Sequence, residues 1–223
     1  MKFRLPFFGK KENVSTGYDI QGENNKIIIV EEDGTERELR QNEKIEGLNI
    51  IVHGNENLIK ISSNTCFGTG ASFEINTNNC QIRIKEAVSV TNFRINFWGE
   101  AHNSTIEIGK NFMTGGMGIA CSQGNSSLVI GDDCIASSNI MFWLGDGHTI
   151  VQGDKVINDT PVKIELGPHC WIGYNCIFTK NAKCGKDTII AAGSVVTREF
   201  LEGNVVLAGN PAKIVKKSIN WLR

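Results

Sequence analysis

The chain has 223 residues, a formal net charge of −1 and seven cysteines. Its 23 basic and 24 acidic residues are scattered apart from a short basic cluster at each end, so no nucleic-acid footprint is visible, and no apolar run reaches the ~20 residues of a membrane-spanning helix. The length suits one sizeable core or a solenoid with caps, and an odd cysteine count with no CxxC pair argues against a disulfide framework.

The opening MKFRLPFFGKK is basic and aromatic but lacks the long apolar region and small-residue cleavage site of a secretory leader. Phe3, Leu5, Phe7 and Phe8 are expected to pack as a cap on the first coil of a solenoid. A sharper reading gives this segment a weak contact with a membrane surface or a partner. Residues 12–25 are polar and read as loop, so 1–25 form an N-terminal cap. Next comes a loose repeat: GENNKIIIV at 22–30, GNENLIKI at 54–61, NTNNCQIRI at 76–84, GEAHNSTIEIG at 99–109 and QGNSSLVIG at 123–131. Each is an Asn/Gly turn followed by an alternating apolar strand. Ile61, Ile84, Ile108 and Ile130 are spaced by about one coil plus a short insertion. Ile130, His148 and Leu166 are eighteen residues apart, which reads as one uninterrupted coil each time.

The stretch 143–163, WLGDGHTIVQGDKVINDTPVK, breaks the pattern with Gly, Asp, Asn and Pro where small or apolar residues belong. A polar irregularity on a regular scaffold is where a site is expected. From Leu166 the order is strict: LGPHCW, IGYNCI, FTKNAK, CGKDTI, IAAGSV, VTREFL. The first positions are Leu166, Ile172, Phe178, Cys184, Ile190 and Val196. The fifth are Cys170, Cys176, Ala182, Thr188, Ser194 and Phe200, small in all but the last. Pro211, with Ile214, Val215, Ile219 and Leu222 behind it, predicts a short capping helix over 208–223.

A period of six belongs to neither a helix nor a lone strand. It predicts a parallel β-helix of hexapeptide repeats. Three strand-and-turn units close a triangular coil of eighteen, with the large apolar residue inward and the small fifth residue at the crowded corner. The pieces cannot bury their inner faces alone, so 26–207 form one domain, with strict hexads over 164–201 and a site loop at 143–163. Cys170, Cys176 and Cys184 then read as buried free thiols, consistent with a reducing compartment.

The hexads, Gly-Asp-Gly-His at 145–148, Trp-Ile-Gly at 171–173, Ala-Gly-Ser-Val-Val-Thr at 192–197 and Gly-Asn-Pro-Ala-Lys at 209–213 resemble the hexapeptide-repeat acyltransferases. Among these, the resemblance is to the serine, maltose and galactoside acetyltransferases and, nearest, to the O-acetyltransferases of bacterial surface-polysaccharide synthesis. It is strong over 125–217 and looser over 22–124. It implies a left-handed β-helix, all-β apart from the capping helix, with irregular N-terminal coils. It also implies transfer of acetyl from acetyl-CoA to a sugar hydroxyl in the cytoplasm, without a metal, by a homotrimer whose sites lie between subunits.

By position in that family, His148 is the general base, which suits an imidazole near neutral pH. The competing reading is a solvated turn histidine. Asp146, or Asp133 from nearly one coil earlier, is a candidate to orient it, although each also reads as a turn carboxylate. The CoA groove would take Trp171, Tyr174, Ala192, Thr197 and Arg198, then Gly209, Asn210, Pro211, Lys213 and Lys216 toward the nucleotide phosphates. Arg198 stands where relatives often carry Lys, and Tyr174 is bulkier than in some relatives. Trp143, Asn158 and Asp159 are acceptor candidates, with ordinary loop packing as the alternative. His53, His102 and His169 match no family position and read as surface residues. No Ser or Cys has a nucleophile's setting, which favours direct transfer. A nucleotide-sugar N-acetyltransferase is the alternative. A γ-carbonic-anhydrase-like zinc enzyme pairing His148 with His169, or a non-catalytic scaffold, is more distant.

Overall fold

A computed structural model describes residues 17–40 and 42–223. The expected Phe3–Phe8 cap lies outside the described residues. Within them every regular element is a strand, so no helix is long and apolar enough to cross a membrane. The strands form three long sheets of eight, nine and seven strands and one small two-stranded hairpin. The long sheets are parallel except where a hairpin strand is added at an end. They are the three faces of a left-handed parallel β-helix. The chain visits the eight-stranded face first, then the nine-stranded, then the seven-stranded. We call these the first, second and third faces, and the turns leaving them the first, second and third corners.

Stacking of inward side chains holds the prism together. On the first face Ile50, Phe73, Ile95, Ile119, Phe142, Phe178 and Val196 are in register from coil to coil. None is more than 1% exposed. Burial of such a side chain stabilises the fold by roughly 1.5–3 kcal/mol. Phe142 and Phe178 stack face to face, with ring centroids 4.5 Å apart. In the strict region the six first-position residues are all buried, and so are the small fifth-position residues. At the corners those small groups bond carbonyls of the turn: Thr188 Oγ1 donates to Gly185 O at 2.7 Å and Ser194 Oγ to Ala191 O at 2.6 Å. Second-position glycine is needed because the rungs approach closely. A Cβ on Gly173 would lie 2.6 Å from the backbone N of Ala192.

The Asn-rich turns have a backbone reason. At the first corner Asn24, Glu56, Asn79, Asn103 and Asn125 all take left-handed φ between 56° and 59°. Asn tolerates that region better than most residues. Their side chains bond up the edge, Asn79 to Asn103 at 2.7 Å and Asn103 to Asn125 at 3.3 Å.

Four expectations change. First, residues 131–166 make one coil. Ile130 is in direct register with Leu166, and between the buried Leu144 and Val162 the chain forms no rung of its own because it offers no inward apolar residue there. Ile150, Val151, Val156 and Ile157 are all exposed. Instead the chain leaves the first face after Leu144, makes an excursion with a small antiparallel pair (Val151–Gln152 and Lys155–Val156), and rejoins the second face at Lys163.

Second, 208–223 holds no helix. Val205–Gly209 and Ala212–Lys217 form an antiparallel hairpin about the Asn210-Pro211 turn. Such a strand satisfies the open edge of the last coil, which a helix could only cover.

Third, the strand Tyr18–Gln21 pairs in parallel with Leu48–His53, so coiling starts inside the segment read as loop. Fourth, the last hexad slips: Phe200 is inward, in register with Cys184, because the final coil is shorter.

Candidate active site

The excursion leaves the prism at Gly145 and rises over the first corner. Gly145 has φ +135°, and a Cβ there would lie against Ser122 Oγ and 3.1 Å from the backbone N of Gln123. Gly147 has φ +72°. Gly-Asp-Gly-His is therefore a turn that only glycine makes cheaply at two positions, and it presents His148 at the surface.

Asn158 fastens this turn. Its Nδ2 donates to the carbonyl of His148 at 2.7 Å and to Asp146 Oδ2 at 2.9 Å, and its Oδ1 accepts from Ile150 N at 2.8 Å. Asp146 is also paired with Lys180 Nζ, from the first-corner turn of the next coil. Partial burial works to raise the Asp146 carboxyl, but the bonds from Lys180 and Asn158 and the Lys180 charge outweigh it and hold the group below the usual carboxylate range. The excursion's far end is pinned too: Val162 N donates to buried Ser126 Oγ at 2.9 Å.

Beneath the excursion lies a cleft of about 440 Å³. Its upper wall includes His148, Thr149, Asn158 and Asp159. Its floor comes from the first-corner turns of the two preceding coils, with Glu100, His102, Gln123 and Asn125.

The structure sorts the expected residues. Asp146 is bound to Lys180 and Asn158, which makes it an anchor of the turn. Asp133 stands at the second corner, where it accepts from Asn111 Nδ2 at 2.9 Å, and so lies on a different edge from His148. Asn158 serves the turn itself, Asp159 lines the cleft, and Trp143 points outward, half-buried, from the first-face strand that leads into the excursion.

The donor residues divide. Thr197 and Arg198 share the first corner with His148, and the Arg198 guanidinium lies 5.1 Å from the centre of the Phe200 ring. Tyr174 and Ala192 stack at the third corner, where Gly193 N donates to Tyr174 O at 2.8 Å. Trp171 is exposed on the third face. Gly209, Asn210 and Pro211 make the terminal hairpin turn, and Lys213 and Lys216 are exposed on its last strand. One chain does not bring the two groups together.

His169 is no bare surface residue. It bonds Asp187 at 2.9 Å and stacks on Trp221 with centroids 4.1 Å apart. It belongs to the second corner, away from His148, so coil stacking does not pair the two histidines. Buried thiols are poor nucleophiles here. Burial pushes Cys80 up to about 11 and Cys121 and Cys184 up to about 12.

Sequence reasoning missed Lys180, Glu100, His102, Gln123 and Asn125. Lys180 could not be seen while the excursion counted as a coil. The other four stand beside the Asn/Gly turns already recognised as repeats, and only the shared corner makes them one floor.

No family model matches the chain. The polysialic acid O-acetyltransferase of Escherichia coli O1:K1 / APEC is 28% identical over 110 residues, 48% of this chain and 35% of that protein. The galactoside O-acetyltransferase of Escherichia coli (strain K12) is 27% identical over 120 residues, 52% of this chain and 56% of that one. Over those alignments the chain spans between about a third and somewhat over half the length of these curated relatives. Among solved structures, the polySia specific acetyltransferase NeuO superposes over 93% of this chain and 88% of that one, with a TM-score of 0.74 and 22% identity.

Proposed function

We propose that this chain, which belongs to the hexapeptide-repeat acyltransferases, transfers an acetyl group from acetyl-CoA to a hydroxyl of a bacterial surface glycan. The observation that carries the reading is the placement of His148 on a clasped polar turn above a cleft, on a scaffold that is otherwise regular. In this reading His148 takes the proton of the acceptor hydroxyl as its oxygen attacks the thioester carbonyl. The tetrahedral intermediate collapses, the C–S bond breaks, and the proton passes from His148 to the departing CoA sulfur. A carboxylate partner for the ring is not required by this scheme. The clasp on the His148 carbonyl fixes the backbone from which the ring projects.

Direct transfer in a ternary complex fits the buried, protonated thiols. The division of the donor residues between two edges supports a site completed by a neighbouring copy, and hence a homotrimer. Trp171, Tyr174, Ala192 and the Gly209–Pro211 turn of one copy would then face His148, Thr197 and Arg198 of the next. Acetyl-CoA as donor fits a reaction in the cytoplasm.

The test has two arms. Thermal unfolding with acetyl-CoA at a hundred times its dissociation constant adds about 2.7 kcal/mol to the native state. His148→Ala keeps that stabilisation but lowers CoA release in the presence of acceptor at least about a hundredfold. Undiminished turnover in the variant refutes the assignment.

A further inference from the structure

We propose that the cleft under the excursion is the acceptor subsite, and that its charge selects an uncharged, hydroxyl-rich saccharide over an acidic one. The inference rests on the acyltransferase reading for its chemistry, but it is carried by the lining of the cleft. Among the described residues that line it there is no Lys or Arg, while Glu100 and Asp159 contribute carboxylates from opposite walls. The nearby cation Lys180 is already committed to Asp146. Gln123, Asn125 and Asn158 add amides to the lining, and Ser122 and Thr149 add hydroxyls. The ring of His102 also lines the cleft, with its Nδ1 3.9 Å from Glu100 Oε2.

This chemistry suits a sugar ring. Carboxylates and amide oxygens accept from hydroxyls, and amide and imidazole N–H groups donate to ring and hydroxyl oxygens. A sugar carboxylate in the same place would meet two like charges and, within this chain's lining of the cleft, no guanidinium or ammonium to pair with it. The relatives named for polysialic acid act on a polymer of acidic units, so the floor of this cleft predicts a different acceptor class on the same scaffold. Glu100 and His102 sit on the turn between Trp98 and Ser104, in an irregular coil of the half where the family motifs are sparse. They are acceptor-binding residues in this reading, not catalytic ones.

The experiment measures binding to the full chain without acetyl-CoA. The probes are maltotriose, galactobiose and triacetylchitotriose as neutral saccharides, against trisialic and trigalacturonic acids, by calorimetry at low salt. The expected result is saturable binding of at least one neutral probe, with both acids at least about tenfold weaker. The Glu100→Gln/Asp159→Asn double variant, its fold checked by thermal unfolding, narrows that ratio severalfold by strengthening the acids. Three results overturn the proposal: an acid that binds as well as the neutral probes, an unchanged ratio in the double variant, or no neutral probe bound at millimolar concentration. Donor use is scored separately, by the stabilisation with acetyl-CoA. If that stabilisation is seen but no neutral saccharide binds, the acceptor inference alone falls. If it is absent while saccharide binding matches the expected pattern, the transferase reading falls instead.

Discussion

Asn158 makes three bonds that hold the excursion in shape, and replacing it with Ala removes all of them. Two of its donor bonds reach the His148 carbonyl and Asp146, and its oxygen accepts from the Ile150 amide. A hydrogen bond contributes about 0.5–1.5 kcal/mol net. The site is open to solvent, so we take about 0.7 kcal/mol for each of the three bonds, toward the low end, and expect Asn158→Ala to loosen the turn by about 2 kcal/mol. At 1.4 kcal/mol per factor of ten, the turn opens about thirtyfold more often.

None of these bonds belongs to the coil ladder, so the unfolding midpoint should scarcely move. Native-state hydrogen exchange reads the effect directly, because the Ile150 amide loses its acceptor and should exchange about thirtyfold faster. Turnover should fall by up to that factor, as far as the population of the closed turn falls, with donor stabilisation unchanged. Asn158→Asp is no rescue: it keeps the acceptor for Ile150 but sets a second carboxylate against Asp146. Unaltered exchange at Ile150 together with unaltered turnover would show that the clasp does not order the turn.

Other perturbations test the scaffold. Gly173→Ala puts a Cβ 2.6 Å from Ala192 N and 2.9 Å from Ile190 O, both backbone atoms. It should cost about 1–3 kcal/mol by denaturant titration, and a neutral result would refute the close approach as the reason for glycine. Glu56 holds φ +59° in a column otherwise made of Asn. Glu56→Asn should therefore stabilise by about 0.5–1 kcal/mol, seen as a higher denaturation midpoint. The Glu43 carboxyl, bonded by Arg37 Nη1 and Nη2 and by the Arg40 amide, is held down to about 2, chiefly by the Arg37 bonds. A lowered acid contributes stability that is present above its unfolded value of 4.5 and is lost as pH falls toward 2. Glu43→Gln should flatten the stability profile across that window; a wild-type slope in the variant would remove Glu43 as its source.

The parts most legible in sequence were those where one physical rule acts alone. Leu166, Ile172, Phe178, Cys184, Ile190 and Val196 face inward as their six-residue spacing requires, because each rung repeats the same packing problem. The Asn/Gly turns were equally plain, since left-handed corners select those residues. Counting eighteen from Ile130 to His148 failed because spacing alone does not distinguish a rung from an excursion of equal length. The exposure of Ile150, Val151, Val156 and Ile157 is what separates them. The end of the chain misled in a related way. Ile214, Val215 and Ile219 fit a helical stripe, but the unpaired backbone of Val205–Gly209 favours a strand, and that demand appears only once the coil exists. The floor of the cleft comes from residues 100–125 and its roof from 147–161. Nothing local in either segment announces the other.

The excursion also has a consequence for how such a protein can diversify. The pairing of Ser127–Ile130 with Lys163–Leu166 passes beneath it without a gap, so the scaffold's ladder does not depend on what is inserted above. Both ends are anchored at a single corner, and doubling such a loop costs only about 0.6 kcal/mol of closure entropy. Segments of other lengths and chemistries could therefore be exchanged at this point without shifting the register of any rung. The cost of a new acceptor preference would then be confined to the excursion and the few turn residues it faces.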